Sequence, residues 1–389
     1  MSNRVCARAI AAILAATAVL CGAACSSPSQ VVSDQPTASP AATPESTASN
    51  AAVALENAYA GKTGAPPTVP TVPPKDIDLW VISCGQQAPS CATPVAASQE
   101  AAEAAGWTVN VCDGQLNPEG WGSCVRQAIG AGANVIIPIG IDCISIQQPF
   151  VEAKAAGVTV VGGGGADCNS AGSEALWATE RIPLEGVNVH DFWNLSGKLA
   201  ADWIIGKTDG KAKVLQLSFS DPLWGPWQRS AFASEIATCE GCDVVGNLEI
   251  SNNDLVSGAI GQKFQTALLQ ADDANAVYIP MGAWVTAGLG QGIVASGRSD
   301  QLAVISGFGD ASTVEAIRAG AGLDAIVGYS TEWGGWGSVD TAIRVLNGEE
   351  VQATGEGQQV IDAEHGLPPT GDYDPGVDFR AAYRNLWGL

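Results

Sequence analysis

Apolar residues in this chain gather into short continuous runs, separated by longer stretches in which alanine and other apolar positions recur at helical spacing. From residue 78 onward the runs DLWVISC (78–84), TVNVC (108–112), VIIPI (135–139) and VTVV (158–161) read as strands. Helical segments fall between them at 95–105, 121–130 and 146–156. A long helix at 186–205 opens a second series, with strands at 213–218, 243–250, 276–280, 302–308 and 325–329. Helices near 226–237, 256–270, 284–296, 312–320 and 336–347 separate these. Runs that are apolar throughout, rather than alternating, predict strands buried on both faces, hence mostly parallel sheets covered by helices. Repeated twice, the pattern predicts an α/β protein of two Rossmann-like lobes. Ligands of such sheets bind beyond the carboxyl ends of the strands, and two sets of those ends can face one cleft.

The first 75 residues break this pattern. Arg4 and Arg8 precede an apolar stretch at 9–20, which has signal-peptide length and falls short of the roughly 20 residues that span a bilayer. Residues 1–25 are therefore expected to be a signal peptide. The small residues Gly22, Ala23 and Ala24 before Cys25 make that cysteine the candidate lipidation site, with ordinary secretion after Ala24 as the alternative. From 26 to 75 serine, proline, threonine and alanine dominate, which predicts a disordered, solvated tether because so little apolar surface cannot offset the entropy of ordering. The expectation is an exported protein, lipid-anchored at the extracytoplasmic face of the cell membrane.

Forty acidic against eighteen basic residues give a formal charge of −22, and removing residues 1–25 takes away two arginines and no acid. That balance excludes a nucleic-acid partner and disfavours anionic ligands. Eight cysteines follow Cys25, and an even number in an exported chain points to disulfides. Spacing does not fix their connectivity, but the local pairs Cys84 with Cys91, Cys112 with Cys124, Cys143 with Cys168 and Cys239 with Cys242 would each close a short loop. With no second CxxC and no histidine nearby, Cys239 and Cys242 are not expected to bind zinc or act in redox chemistry. No metal or cofactor is expected elsewhere. GGGGAD (162–167) is not a dinucleotide fingerprint, and the Asp372, Asp374, Asp378 cluster lacks the closing glutamate of a calcium loop. Two histidines and none of the common hydrolase or nucleotide motifs argue against an enzyme.

The ordered series DLWVISCGQQAP, AGANVIIPIGIDC, AAGVTVVGGGG, LSGKLAADWIIGK, KAKVLQLSF, WQRSAFASEI, NAVYIPMGAW, LAVISGFGDAS, EAIRAGAG and AIRVLNGEEV resembles type I periplasmic binding proteins, the ribose-binding-like substrate receptors of ABC importers, from about residue 76 to 351. The resemblance implies a hinge of three crossings near 180–184, 330–333 and 348–351. The N-terminal lobe would then comprise 76–183 and 331–351, and the C-terminal lobe and tail 184–330 and 352–389. It also implies a monomer that closes on a sugar, polyol or related small solute and presents it to an ABC permease. Carried onto this chain, the family's contact positions fall at or near Ser83, Gln86, Gln87, Asp142, Gly163, Gly164, Asp191, Trp193, Trp224, Trp227, Arg229, Met281, Phe308, Asp310 and Tyr329. Where sugar binders commonly place an Asp-Arg pair, this chain has the glycines 162–165. Two alternatives follow: the same fold with a small cationic or aromatic ligand, and a sensory receptor that signals to a membrane partner.

Overall fold

The computed structural model describes the backbone from residue 44 and the side chains from residue 50. The expected signal peptide, the lipidation site Cys25 and the first part of the tether lie outside the described residues.

Four parallel strands, β1 (Asp78–Ser83), β2 (Thr108–Asp113), β3 (Val135–Ile139) and β4 (Thr159–Val160), form the first sheet in the order β2-β1-β3-β4. Alternate residues of its continuous apolar strands feed two cores. Leu79, Val81, Val135 and Ile137 face the helices Pro89–Ala104 and Thr331–Asn347, while Ile82, Ile136 and Val160 face Pro118–Ala131 and Gln147–Ala155. The second sheet has the order β10-β9-β8-β7-β5-β6. It comprises β5 (Lys213–Phe219), β6 (Asp243–Ile250), β7 (Ala276–Ile279), β8 (Ala303–Gly307), β9 (Ala325–Gly328) and β10 (Gln359–Asp362), of which only β10 runs antiparallel to its neighbour. Here too the faces divide: Val214, Tyr278 and Ile305 meet the helices Val189–Lys207 and Trp224–Ile236, while Leu215, Val277 and Val304 pack with Phe264, Ile293 and Val314 from the opposite layer. This is the α/β architecture of two Rossmann-like lobes that the pattern predicts.

The tether expected over 26–75 is corrected where the structure describes it. Pro44–Ala60 is a helix whose Ala51, Ala54 and Ala58 are buried against Ala200, Trp203 and Ile204 of Val189–Lys207. Alanine carries the best helix propensity and a small side chain, so a stripe of it docks closely where a hydropathy count sees no core. At the closest approach, a Cβ on Gly206 would lie 2.6 Å from Leu55 Cβ. Tyr59 then donates to Asp362 at 2.5 Å, and Lys62 exchanges backbone hydrogen bonds with Gln358 at 2.8 and 2.9 Å. Farther along, Val69 and Pro74 give their carbonyls to Arg344 and Trp107 of the first lobe at 2.7 and 2.9 Å.

The tail assignment also changes. Tyr373 still belongs to the second-lobe core, but the helix Phe379–Leu386 returns to the first lobe. Phe379, Tyr383 and Trp387 share one helical face, with Phe379 stacked on Trp333 and Trp387 on Trp336. The third expected crossing lies a few residues later than 348–351, where Thr354 and Gly355 donate to Ile182 and Pro183 at 2.8 Å. The chain therefore passes between the lobes twice more than the three crossings expected, once before β1 and once after Tyr373.

Candidate functional site

A cavity of about 970 Å³ lies between the lobes, beyond the carboxyl ends of β1, β3, β5, β7, β8 and β9. The second lobe supplies an aromatic wall. Trp193 and Trp224 stack with ring centres 4.7 Å apart, Phe308 lies 5.8 Å from Trp193 and 5.1 Å from Tyr329, and Phe219 stands edge-on to Trp224 and Trp284. Phe308 is held at φ 69°, a left-handed backbone that costs a phenylalanine on the order of 1–3 kcal/mol. Its ring is kept in the wall by these neighbours, so strain and packing meet at the cavity.

The first lobe contributes Gln87, Asn117, Trp121, the Cys84–Cys91 disulfide and Asp142. Asp142 follows β3 and is buried. Its Oδ1 accepts the Ala166 N–H at 2.9 Å and its Oδ2 accepts the Leu223 N–H of the second lobe at 2.8 Å. Burial pushes its carboxyl above the usual range, and the two N–H groups oppose that shift.

Between the crossings the cavity is bounded by an ion pair that sequence reasoning missed, Arg181 with Glu356. Their side chains are 9% and 0% exposed. Burial lowers the Arg181 guanidinium to about 10, a shift opposed by the nearby Tyr329 and Tyr383 hydroxyls. A carboxylate embedded in TGEGQQ and an arginine at an expected crossing are the only sequence signals, and neither gives the partner.

The cavity brings together Gln87, Asp142, Gly163, Gly164, Trp193, Trp224, Met281, Phe308 and Tyr329 of the expected contacts. Six others lie outside it. Ser83 is sealed at the end of β1, where its Oγ accepts the Gly85 N–H, and Gln86 is exposed. Asp191 is two residues, roughly 200° of helix, from Trp193, and points to His190 at the surface. Trp227 lies edge-on to His190 at 4.9 Å. Arg229 is roughly 140° of helix from Trp224 and pairs with the exposed Glu249 at 2.6 Å. Asp310 caps the helix Ala311–Arg318, accepting from Ser312 and Thr313 at 3.0 and 3.1 Å, and reaches only a small recess beside Glu332 and Asp372.

The glycine run has its closest approach within its own lobe. A Cβ on Gly163 would come 2.8 Å from Pro138 O and one on Gly165 2.2 Å from Ile141 O, while Gly164 adopts φ 105°.

The four local disulfides form, and they serve different places. Cys84 with Cys91 borders the cavity, and Cys143 with Cys168 ties the Asp142 loop to the loop after β4. Cys112 with Cys124 lies outside the cavity and fastens β2 to the helix Pro118–Ala131, where Cys124 is buried in the first-lobe core beside Val125 and Ala128. Cys239 with Cys242 closes the turn before β6. Among the described residues the one cluster of metal-ligand type is Cys143, Asp167 and Cys168, and its two sulfurs are spent on each other.

Residues 89–350 match the family model described as "Periplasmic binding protein domain". No curated protein matches the chain in sequence. Among solved structures it is similar to a galactofuranose binding protein, at 17% identity and a TM-score of 0.62 over 74% of this chain and 95% of the other. An ABC transporter solute binding protein from Mycobacterium smegmatis with bound glycerol is 19% identical, with a TM-score of 0.62 over 77% and 99%. A fructose binding periplasmic domain of a hybrid two component system is 14% identical, with a TM-score of 0.63 over 74% and 91%. At these identities the structures speak for the fold, and the family model speaks for descent. The chain belongs to the periplasmic binding protein family, with the type I fold of its ribose-binding-like members, a family of solute-binding proteins that implies an extracytoplasmic location.

Proposed function

We propose that this chain is the receptor of an ABC importer, held at the membrane through lipid on Cys25, and that it captures a sugar, polyol or related small solute between its lobes. The observation that carries the reading is the cavity itself, placed between the lobes at the carboxyl ends of both sheets and spanned by the Asp142–Leu223 hydrogen bond. Tryptophan, phenylalanine and tyrosine faces suit the C–H surface of a sugar ring, and lobe closure excludes water from polar contacts.

A thermal-shift panel of sugars, polyols, amines and aromatic acids tests it. The protein should begin at residue 26, because the segment from 44 is folded onto the rest. A ligand present at a hundredfold its Kd raises stability by about 2.7 kcal/mol, whereas a panel without one stabilising member contradicts solute capture.

One observation favours a second ligand class. Asp142, Asp221 and Glu356 outnumber Arg181 around an aromatic wall, which is an attractive setting for a small cation. Stabilisation confined to amines, weakening with salt, would select that reading. The fold is also found in a two-component sensor domain. Permease and ATPase genes beside this one support import, and a sensor kinase gene supports signalling.

A further inference from the structure

We propose that residues 62–74 form a stiff strap behind the hinge that raises the cost of opening, so that part of the free protein is already closed before a solute arrives. The proposal rests on the receptor reading for its lobe movement, but its test needs no ligand.

The strap is fastened to both lobes. At its second-lobe end Lys62 exchanges backbone hydrogen bonds with Gln358, just before β10, at 2.8 and 2.9 Å. At its first-lobe end Val69 O accepts from Arg344 Nη2 at 2.7 Å, and the Thr71 N–H donates to Leu386 O at 3.2 Å. Val72 O accepts from Asn347 Nδ2 at 3.0 Å and Pro74 O from Trp107 Nε1 at 2.9 Å. Arg344 is only 1% exposed and its Nε is held by Asp340 at 2.8 Å, so this end is tied to a fixed donor rather than to a loose surface side chain.

Between its ends the strap lies directly on the crossing 354–358. A Cβ on Gly357 would collide with Lys62 O and one on Gly355 with Ala65 O, and Gly355 adopts φ 87°. These two glycines admit the strap at backbone contact. Glu356, between them, turns the other way, to Arg181 and the cavity. The cavity and the strap therefore flank this crossing on opposite sides. Swinging the lobes apart on the cavity's side brings them together on the strap's side, where the strap must shorten or bulge. Only Pro66, Pro67 and Thr68 separate Ala65, against the hinge, from Val69, bonded to the first lobe. Proline fixes its own φ at about −65° and keeps the residue before it extended, so a Pro-Pro step gives up little length. Opening then strains the bonds at the strap's ends, and a solute that binds the closed form meets a larger competent fraction.

The test is amide hydrogen exchange and small-angle X-ray scattering of the ligand-free chain from residue 26, with a Gly-Ser-Gly-Ser-Gly-Ser segment inserted between Pro67 and Thr68. The insertion keeps every bond named above and removes the stiffness. The Leu223 amide reports opening, because its acceptor Asp142 belongs to the other lobe. In the insertion variant this amide should exchange about tenfold faster or more, while the Val277 amide inside the second sheet keeps its rate. The radius of gyration should rise. Unchanged Leu223 exchange and scattering overturn the proposal. So does equal acceleration at Leu223 and Val277, the mark of a strap that only stabilises the fold. If the insertion prevents folding, Pro66→Gly with Pro67→Gly keeps the length and the same bonds and should show the selective acceleration. Absence of any binder in the solute panel would count against the receptor reading and leave the outcome of these ligand-free measurements unaffected.

Discussion

Asp142 of the first lobe accepts the backbone N–H of Leu223 in the second at 2.8 Å, while its other oxygen accepts the Ala166 N–H of its own lobe at 2.9 Å. One carboxylate thus fixes the loop after β3 and spans the cavity. Asp142→Ala leaves two N–H groups without an acceptor, at a cost of about 1–3 kcal/mol each where they remain buried. The Leu223 share falls on the closed form, so ligand affinity should drop roughly tenfold or more, measured by titration, for a difference of about 1.4 kcal/mol. Unchanged affinity in a folded variant would remove Asp142 from the closure.

Arg229 leads to the opposite expectation. Its guanidinium pairs with Glu249 at a surface where both side chains are exposed, and such pairs contribute about 0–1 kcal/mol. Arg229→Ala should leave ligand affinity within twofold of the parent by the same titration. A large loss would mean that the helix Trp224–Ile236 turns this side chain inward when ligand binds.

The helix Pro44–Ala60 is expected to behave as part of the folded body. Tyr59→Phe removes a hydrogen bond to a carboxylate that also receives His365 Nδ1 at 2.8 Å and lies 3.3 Å from Lys207 Nζ, so unfolding in urea should show a loss of about 1.5–3 kcal/mol. Deleting residues through 61 should lower the melting temperature further, because it bares the alanine-covered face of Val189–Lys207. Identical melting of the truncated and longer chains would return this segment to the role of a tether.

Asp202 gives the second lobe a pH dependence. Burial first, and Glu235 second, push its carboxyl up to about 7, with Lys198 opposing. In the unfolded chain the group ionises near pH 4, so between about pH 4 and 7 the folded state holds more protons than the unfolded one. Its contribution is therefore fully present below about pH 4 and is lost as pH rises through about 7. Asp202→Asn should raise the melting temperature at pH 8, leave it nearly unchanged at pH 4, and flatten the slope between. An unaltered slope in calorimetric scans would contradict the assignment.

How far the sequence could be read follows from which physics each part obeys. Strands such as β3, VIIPI, are apolar because both faces are buried, so the run itself announces the element and the sheet. Of the positions expected just beyond strand ends, Asp142, Phe308 and Tyr329 line the cavity, whereas Ser83 and Gln86 lie outside it. Positions expected on helices divide, because a shift of a few residues turns a side chain away, and this separates Trp224 and Trp193, which line the cavity, from Arg229 and Asp191, which do not. The alanine stripe of Pro44–Ala60 was hidden by its weak hydropathy. Arg181 and Glu356 were hidden by distance along the chain, since a pair formed across two hinge crossings has no local pattern.

Small-angle X-ray scattering of the chain from residue 26, titrated with whichever solute stabilises it, tests the central claim most directly. The account predicts a saturable fall in radius of gyration with the same midpoint as the change in tryptophan fluorescence, because one event closes the lobes and sets the solute against the Trp193–Trp224 wall. A solute that saturates the protein, stabilises it and leaves both the radius and the tryptophan signal unchanged would contradict capture between the lobes.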